Sequence, residues 1–292
     1  MVEDIPLLKE YRLEKIIESL HCIDKFSLNR KEQKNCIYTN YRVRYKKSIE
    51  SFDKAIFRGM VIPSLRYLGF IAGYGDFIKI SSNGKLILQS NILNENLKNK
   101  ALQALIFEID QKVYHFLHHI ENSEPLTTSQ FVDSYYNNVP IISEIISKKQ
   151  KEERVSKWLS ILEQVQLLSS INNLISINRD KLESTKQILD VKHIGFQKFE
   201  KVVKESYSRI GANSAGIVEI EELRLTVAIT FLIEYKKILT EQMFDILFTK
   251  LIENPEGRIY SLGRPMGKQE KLFKFRENYY KTIIIKKIRG EP

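Results

Sequence analysis

A glutamate and a lysine at the end of an apolar stretch are the residues best placed to do chemistry. Phe231-Leu-Ile-Glu234-Tyr-Lys236 ends in a Glu-x-Lys pair. An apolar strand with this ending is half of the PD-(D/E)xK nuclease signature, in which the carboxylate holds Mg²⁺ and the lysine assists the attacking water. The other half, an acid on a preceding strand, is missing, because the nearby acids fall in a helical pattern. We favour a surface charge pair on a helix and keep a nuclease site at Glu234 and Lys236 as an alternative.

A histidine cluster offers a second candidate site. His115 and His119 lie one helical turn apart, with His118 beside them, and this spacing can bind a metal. No glutamate between them completes a zinc-protease pattern, and Cys22 and Cys36 do not form a zinc spacing. We interpret the histidines as partly exposed helix residues. The chain also has no Walker-type loop, no GxGxxG and no serine elbow, so we expect no cofactor, with Mg²⁺ only for the nuclease alternative.

The charge of the chain is concentrated in two regions. The 292 residues carry a formal charge of +10, with 46 Lys and Arg against 36 Asp and Glu. Residues 30–66 hold ten basic residues and three acids, and residues 264–289 hold nine basic residues and two acids. Clustered positive charge is typical of a protein that binds a polyanion such as nucleic acid.

The remaining totals bound the class of protein. A hydrophobic fraction of 43% is enough to fill real cores, and the length favours two or three domains. With only two cysteines, a secreted disulfide scaffold is not expected. The N-terminus lacks the apolar core of a signal peptide, and no apolar run is long enough to span a membrane. We expect a soluble, cytoplasmic protein.

Residues 58–88 contain the clearest structural pattern. A helix over Ser48–Phe57 precedes a short amphipathic segment, Met60–Leu68, which should stop at Gly69 because that position favours a left-handed backbone. Apolar and turn residues then alternate as strand, turn, strand, turn and a last segment, over Phe70-Ile71, Gly73–Asp76, Phe77–Ile80, Ser82–Gly84 and Lys85–Leu88. This order is typical of the recognition helix and wing of a winged helix-turn-helix. The alternative is a helix and hairpin with no role in DNA binding.

A similar order of elements follows in the second part of the chain. A long helix is predicted over Asn96–Ile120, and the hydroxyl residues from Thr127 predict another helix start. A basic-flanked helix over Glu152–Leu168 then leads into a strand, a turn at Asn172-Asn173 and a second strand. The repetition favours tandem winged helices.

The third part ends in a basic hairpin. Helices are predicted over Ile194–Ile210 and Val218–Ile238, and Thr240 should cap one more. Two β-like runs, Arg258–Leu262 and Phe273–Ile285, flank a basic loop. The sequence does not place a separate recognition helix in this part.

These patterns predict a mainly helical α+β protein of tandem winged-helix units, with boundaries at 1–93, 94–190 and 191–292. Each unit should present basic side chains to duplex DNA, a helix entering the major groove and the wing lying against the backbone. The alternative for the second unit is a solvated helix face. The expected DNA contacts are Arg42, Arg44, Lys46, Lys47, Arg58, Ser64 and Arg66 in the first unit, Lys148, Lys149, Lys151, Arg154 and Lys157 in the second, and Arg264, Lys268, Lys271, Lys274 and Arg276 in the third.

The stretch from Phe57 to Phe70, with the wing to Leu88, resembles the DNA-recognition part of type IIS restriction endonucleases of the FokI kind and related nicking enzymes. Those proteins carry an Arg-x-x-Val-x-Pro helix, a Tyr-Gly-Phe exit and a Gly-Lys wing return, matched here over about thirty residues. The resemblance implies tandem winged-helix subdomains followed by a nuclease domain. No nuclease domain is evident within the 292 residues, which implies a recognition module or subunit, or a fragment of a longer chain.

We therefore expect a sequence-specific duplex DNA-binding protein of a restriction or defence system, with a nuclease or other protein subunit as a possible partner and without a catalytic site of its own. The alternatives are a winged-helix transcription or replication regulator, the Mg²⁺-dependent nuclease, and a protein-binding scaffold.

Overall fold

The computed structural model describes residues 5–41, 48–73, 75–109, 111–123, 125–138, 146–212, 215–255, 257–266 and 271–287. Helices hold most of these residues, and the strands form small antiparallel sheets of two or three strands, so the expected mainly helical α+β class is confirmed. Within these ranges, no helix is both long and apolar enough to cross a bilayer.

The first part of the chain is a helical group with one short hairpin. The Cys22 and Cys36 sulfurs form a disulfide between its first two helices. Its elements are α1 (Leu13–Lys25), α2 (Arg30–Tyr41), α3 (Ile49–Phe52), a π-helical segment (Asp53–Val61), α4 (Ile62–Tyr67), β1 (Ile71–Ala72), β2 (Lys79–Ile80) and α5 (Ser82–Leu93).

The two helices expected over Ser48–Phe57 and Met60–Leu68 form one continuous helical run. The π-helical segment joins α3 to α4, and Gly59 lies inside it. A Cβ at Gly59 would lie 2.8 Å from the carbonyl oxygen of Lys54, so the wider turn needs a glycine at this position. Gly69 follows α4 with φ +71°, as its predicted role of helix stop requires.

The hairpin after this run is shorter than expected. Strands β1 and β2 pair with Ile71 opposite Ile80. Lys85–Leu88 was expected to be the last segment of the wing, and this expectation is wrong, because these residues lie within α5. The Ser81 hydroxyl accepts a hydrogen bond from the Gly84 amide at 3.1 Å and caps the helix, so the apparent Ser-Asn-Gly turn is the first turn of α5.

The second part contains a three-stranded sheet in which the last strand is central. The long helix expected over Asn96–Ile120 is divided in two around Ile109, and Thr127 caps the following helix as predicted. Asn172 and Asn173, with φ of 52° and 62°, form the predicted turn between the last two strands. The elements are α6 (Glu95–Glu108), α7 (Gln111–Asn122), β3 (Leu126–Thr127), α8 (Thr128–Asn137), α9 (Lys148–Gln164), β4 (Leu168–Ile171) and β5 (Leu174–Ile177), with strand order β3-β5-β4.

The third part repeats that strand order. The run expected over Phe273–Ile285 is divided into a small hairpin and a longer strand, with Arg276 at the hairpin turn in a left-handed conformation (φ 54°). The elements are α10 (Arg179–Leu189), α11 (Phe196–Gly211), β6 (Val218–Glu219), α12 (Ile220–Tyr235), α13 (Glu241–Glu253), β7 (Arg258–Gly263), β8 (Phe273–Phe275), β9 (Asn278–Tyr280) and β10 (Thr282–Lys287), with strand order β6-β10-β7.

Buried side chains form two clusters. The first runs from Ile5 to Ile175 and also takes in Leu232 and Ile238, so it combines side chains of the first and second parts. The second lies between residues 194 and 285. Helix α12 packs against α5, which joins the third part to the first.

Polar contacts reinforce this junction. The side chains of Asn83 and Glu241 each accept a hydrogen bond from the other's backbone amide, at 3.2 and 3.1 Å. Lys79 of the first hairpin pairs with Glu221 at 2.6 Å. The third part is therefore held against the base of the first hairpin.

Candidate nucleic-acid interface

The helical run Ile49–Tyr67 exposes its basic residues in its first half. Lys54 and Arg58 are exposed one turn apart, and Arg58 pairs with Asp53 at 2.9 Å. Ser64 is 3% exposed, and its hydroxyl accepts a hydrogen bond from the Glu10 amide at 2.9 Å. This corrects the expectation that Ser64 faces DNA, since burial against the N-terminal segment leaves it out of reach of a partner.

Arg66 braces the hairpin. It is half-buried, and its Nη2 donates a hydrogen bond to the Gly73 carbonyl at 2.7 Å. Its position favours a role in holding the β1–β2 loop over a direct base contact. The expected contacts Arg42, Arg44, Lys46 and Lys47 lie outside the residues that the structure describes.

A cleft of about 550 Å³ lies between α2, the π-helical segment and the β1–β2 loop. Arg30 pairs with Asp76 at 2.9 Å across it. Lys31 is exposed and Lys34 half-buried, and neither has an ion pair among the described residues. The residues that line the cleft are Leu28, Asn29, Arg30, Lys31, Lys34, Asp53 and Asp76.

The charge of this cleft is positive. Its two acids, Asp53 and Asp76, are each paired with one arginine. Among the described residues the two lysines have no ion pair, although Lys34 interacts electrostatically with the exposed Glu50. We name the surface formed by Arg30, Lys31, Lys34, Lys54 and Arg58 the basic cleft. Of these five residues only Arg58 was predicted as a contact, although all five lie in the basic region 30–66 that the sequence revealed.

Helix α9 of the second part exposes two lysines at its start. Lys148 and Lys149 are exposed at its N-terminal end. Lys151 lies over the Tyr136 ring, with 5.2 Å between the ammonium and the ring centre. Arg154 donates to the Ile5 carbonyl at 3.2 Å, and Lys157 pairs with Glu153 at 2.6 Å and lies over the ring of Tyr11.

The N-terminal segment lies against the same helix. The indole nitrogen of Trp158 donates to the Pro6 carbonyl at 2.9 Å, and Gln164 bonds the backbone of Tyr11 and Leu13. Of the five predicted contacts in the second part, the two at the helix start are therefore the best placed to meet a ligand.

In the third part too, some of the predicted DNA contacts are exposed and others are held by protein partners. Lys274 and Arg276 are exposed, and Arg276 lies 5.2 Å from the centre of the Phe275 ring. Arg264 is exposed and donates to the Asn278 side chain at 3.2 Å. Lys271 is paired with Glu241 at 2.7 Å and belongs to the junction with the first part. Lys268 lies outside the described residues.

Helix α13 of the third part carries three carboxylates on its accessible face. Glu241, Asp245 and Glu253 line a cleft of about 660 Å³ with Glu108 of α6. Burial raises the pKa of Glu108 to about 7, against a hydrogen bond of 2.8 Å from the Thr240 hydroxyl that lowers it. Two lysines, Lys250 and Lys271, line the same cleft.

The carboxylates of this acidic cleft have protein partners. Arg224, which is 2% exposed, donates to both oxygens of Asp245 at 2.7 and 3.0 Å. Lys271 neutralises Glu241. Within the described ranges, no group of three or more His, Cys, Asp and Glu side chains could hold a metal ion.

The candidate nuclease pair lies at the end of a helix. Glu234 is exposed in the last turn of α12, and Lys236 follows with φ 54° as its cap. The Lys236 ammonium donates to the Ile233 carbonyl of its own helix at 2.8 Å. The strand that the nuclease interpretation requires is therefore absent at Phe231–Lys236, because Glu234 lies in a helix and Lys236 caps it.

The histidine cluster is part of the packing of α7. His119 lies against the rings of Phe131 and Tyr135, at 5.5 and 5.7 Å between ring centres, and contacts the Ser134 hydroxyl at 3.2 Å. Burial lowers the pKa of His119. His118 is exposed and lies near Asn122. This arrangement favours a structural role.

Neither models of protein families, nor curated proteins, nor solved structures match this chain.

Proposed function

We propose that the protein binds double-stranded DNA through tandem winged-helix units and recognises its sequence with the first unit. The order of elements supports this. The second and third parts each have a helix, a strand, two helices and then two paired strands, of which the last lies between the other two, and the third part inserts the β8–β9 hairpin between its last two paired strands. In the first part the Leu28 amide donates to the Ile78 carbonyl at 3.3 Å, so Leu28 occupies the place of the first strand.

Fold alone does not specify function, and the basic cleft supports DNA binding more directly. Lysine and arginine contacts to phosphates supply most of the affinity for duplex DNA. The cleft offers Lys31 and Lys34, which form no ion pair with another described residue, beside an exposed helix face that carries Lys54 and Arg58. Arginine can bond two acceptors of guanine in the major groove, and Arg58 is the exposed arginine on this face. This juxtaposition is the observation that carries the proposal.

The second and third units contribute unequally to the proposed DNA-binding surface. Lys148 and Lys149 add a second cationic patch at the start of α9, and Lys274 and Arg276 add a third on the β8–β9 hairpin. The acidic face of α13 does not suit a DNA groove. We assign the third unit's helix to the junction with the first unit and its hairpin to backbone contacts.

The resemblance of Phe57–Phe70 to the recognition region of type IIS restriction endonucleases suggests the biological role. We propose that the protein is a recognition module or subunit of a restriction or defence system, acting with a nuclease partner. Such a module binds an asymmetric site as a monomer, whereas a regulator of the same fold binds a palindrome as a dimer.

The decisive experiment is selection from a random duplex library across a salt series, with a parallel arm that contains Mg²⁺. We expect one short asymmetric site to be enriched. The double variant Lys31→Ala/Lys34→Ala should weaken binding and reduce the slope of log K against log salt by about 2, because each lost phosphate contact removes roughly 0.9 from it. Lys201→Ala/Arg209→Ala, which removes two exposed cations on α11, is the matched control and should leave the slope unchanged.

Three outcomes would contradict the proposal. Weak retention that does not respond to salt would exclude DNA binding. Enrichment of a palindrome bound by a dimer would favour a regulator. Cleavage in the Mg²⁺ arm would favour a nuclease, and loss of that cleavage in Glu234→Ala would return the catalytic role to the Glu-x-Lys pair.

A further inference from the structure

The tip of the β1–β2 hairpin presents a large apolar side chain to solvent. Phe77 is 70% exposed. Leu28, which is 55% exposed, lies near it along the backbone, because the Leu28 amide donates to the carbonyl of Ile78, the residue that follows Phe77. Leu28 and Asp76, the residue before Phe77, both line the cleft of about 550 Å³, so two exposed apolar residues lie at the edge of the basic cleft.

The loop that carries Phe77 is braced from two helices. Arg66 of α4 holds the Gly73 carbonyl at 2.7 Å, and Arg30 of α2 holds the Gly75 carbonyl at 3.1 Å. The backbone also approaches itself closely, because a Cβ at Gly73 would lie 1.8 Å from the Phe77 carbonyl oxygen.

The residue after Phe77 is fixed as well. The side-chain amide of Gln33, which is fully buried, donates to the Ile78 carbonyl at 2.9 Å. Phe77 is thus an exposed aromatic on a preorganised loop, and its binding to a partner would cost little ordering of the backbone.

The charged and apolar groups around this tip indicate which kind of partner it could bind. Arg30, Lys31 and Lys34 line the cleft beside it, and Arg30 pairs with the neighbouring acid Asp76 at 2.9 Å. An exposed aromatic side chain next to basic residues is complementary to a surface that combines negative charge with accessible stacked rings. Duplex DNA has both, and proteins that bind its minor groove insert apolar wedges between base steps while basic residues hold the phosphates.

We propose that Phe77, supported by Leu28, is a wedge that enters the minor groove and partly unstacks one base step. The inference rests on the proposed DNA binding and adds a mode of recognition to it. Lys31 and Lys34 then hold phosphates beside the inserted ring, while the helix face with Lys54 and Arg58 lies in the adjacent major groove. Specificity would arise in part from the deformability of the step, which is greatest for pyrimidine–purine steps.

The test compares Phe77→Ala with Ile92→Ala, a matched control in which an apolar side chain that is 66% exposed on α5 is removed. Affinity for the selected duplex is measured across a salt series. Unstacking is followed by the fluorescence of 2-aminopurine placed at successive steps of that duplex. Phe77→Trp tests whether another aromatic ring restores the effect, and thermal unfolding verifies that each variant is folded.

We expect the wild-type protein and Ile92→Ala to raise the fluorescence at one step. Phe77→Ala should bind about tenfold or more weakly, as expected when an aromatic contact with a base is lost, and should abolish the rise. Its salt slope should equal that of the wild-type protein, because phenylalanine contacts no phosphate. Phe77→Trp should recover both affinity and fluorescence.

Salt-dependent binding by the wild-type protein with unchanged affinity and fluorescence in Phe77→Ala would overturn the wedge and leave the DNA-binding function intact. Absence of salt-dependent binding by the wild-type protein would overturn both. If Phe77→Ala instead lost binding to phosphatidylglycerol vesicles and kept its DNA affinity, the tip would be a membrane contact and the wedge would be wrong.

Discussion

The phenol of Tyr41 donates a hydrogen bond of 2.5 Å to the carboxylate of Glu10, which is 2% exposed. Arg12 bonds the same carboxylate through Nε and Nη2, at 2.8 and 2.6 Å, and the Glu10 amide bonds the Ser64 hydroxyl. This network ties the N-terminal segment to the end of α2 and to α4. The helices that border the basic cleft are therefore positioned by a buried carboxylate.

Replacing Glu10 by glutamine should destabilise the protein by about 2–3 kcal/mol, because the buried network loses its negative charge and one of its two acceptor oxygens. Burial opposes ionisation of Glu10, but the hydrogen bonds from Arg12 and Tyr41 outweigh it and lower its pKa. Its contribution is thus present above the ordinary value of 4.5 and is lost as the pH falls through the lowered pKa. Urea unfolding between pH 3 and 7 should show this acid-side loss in the wild-type protein but less of it in Glu10→Gln.

The exposed Glu14 of α1 supplies the control for this experiment. Glu14→Gln should unfold as the wild-type protein does at each pH. Equal stabilities of Glu10→Gln and Glu14→Gln at pH 7 would contradict the structural role of the network.

Glu108 should produce the opposite pH dependence. Burial raises its pKa to about 7, so its stabilising contribution is present below the ordinary value of 4.5 and is lost as the pH rises through 7. Glutamine stays neutral and can still accept the hydrogen bond from Thr240. We expect Glu108→Gln to be more stable than the wild-type protein at pH 8, by on the order of 1–2 kcal/mol, and nearly equal to it at pH 5. Parallel stability curves from pH 5 to 8 would show that Glu108 does not titrate there.

The Arg224–Asp245 pair should contribute strongly to the stability of the third part of the chain. Arg224→Ala leaves Asp245 without its partner, and breaking such a pair costs roughly 3 kcal/mol. Arg224→Lys should recover only part of the loss, because an ammonium cannot bond both carboxylate oxygens as the guanidinium does. Chemical denaturation measures both, with the exposed Arg209→Ala as the control. A loss below 0.5 kcal/mol in Arg224→Ala would contradict this prediction.

Gly84 should resist replacement by alanine even though it lies in a helix. Helix propensity alone favours alanine by about 1 kcal/mol. A Cβ at Gly84, however, would lie 2.2 Å from the carbonyl oxygen of Phe70, which is backbone and cannot move aside cheaply. We expect Gly84→Ala to lower the free energy of unfolding by about 2 kcal/mol or more. Gln89→Ala, on the same helix, should be nearly neutral, and a stabilised Gly84→Ala protein would show that α5 can shift away from β1.

Local signals in the sequence were sufficient to predict the features that depend on neighbouring residues alone. Gly69 ends its helix, Thr127 caps the next, and Asn172-Asn173 turns a hairpin, because each depends on the backbone preference or side-chain reach of one or two residues. The mainly helical class followed from apolar periodicity for the same reason.

The secondary structure of short apolar runs could not be predicted from neighbouring residues. Lys85–Leu88 has too few residues to distinguish strand from helix by period. The decision depended on the Ser81 cap and on the close approach of the Phe70 carbonyl to Gly84, which only the packed chain provides.

The candidate site divides in the same way. The concentration of positive charge in residues 30–66 follows from the composition of that region. Which of those cations face a common cleft depends on the tertiary structure, because α2, the π-helical segment and the hairpin loop meet there from positions far apart in the chain. Packing buried Ser64, bound Arg66 to the loop and left Lys31, Lys34 and Phe77 accessible, and no local pattern encodes that choice.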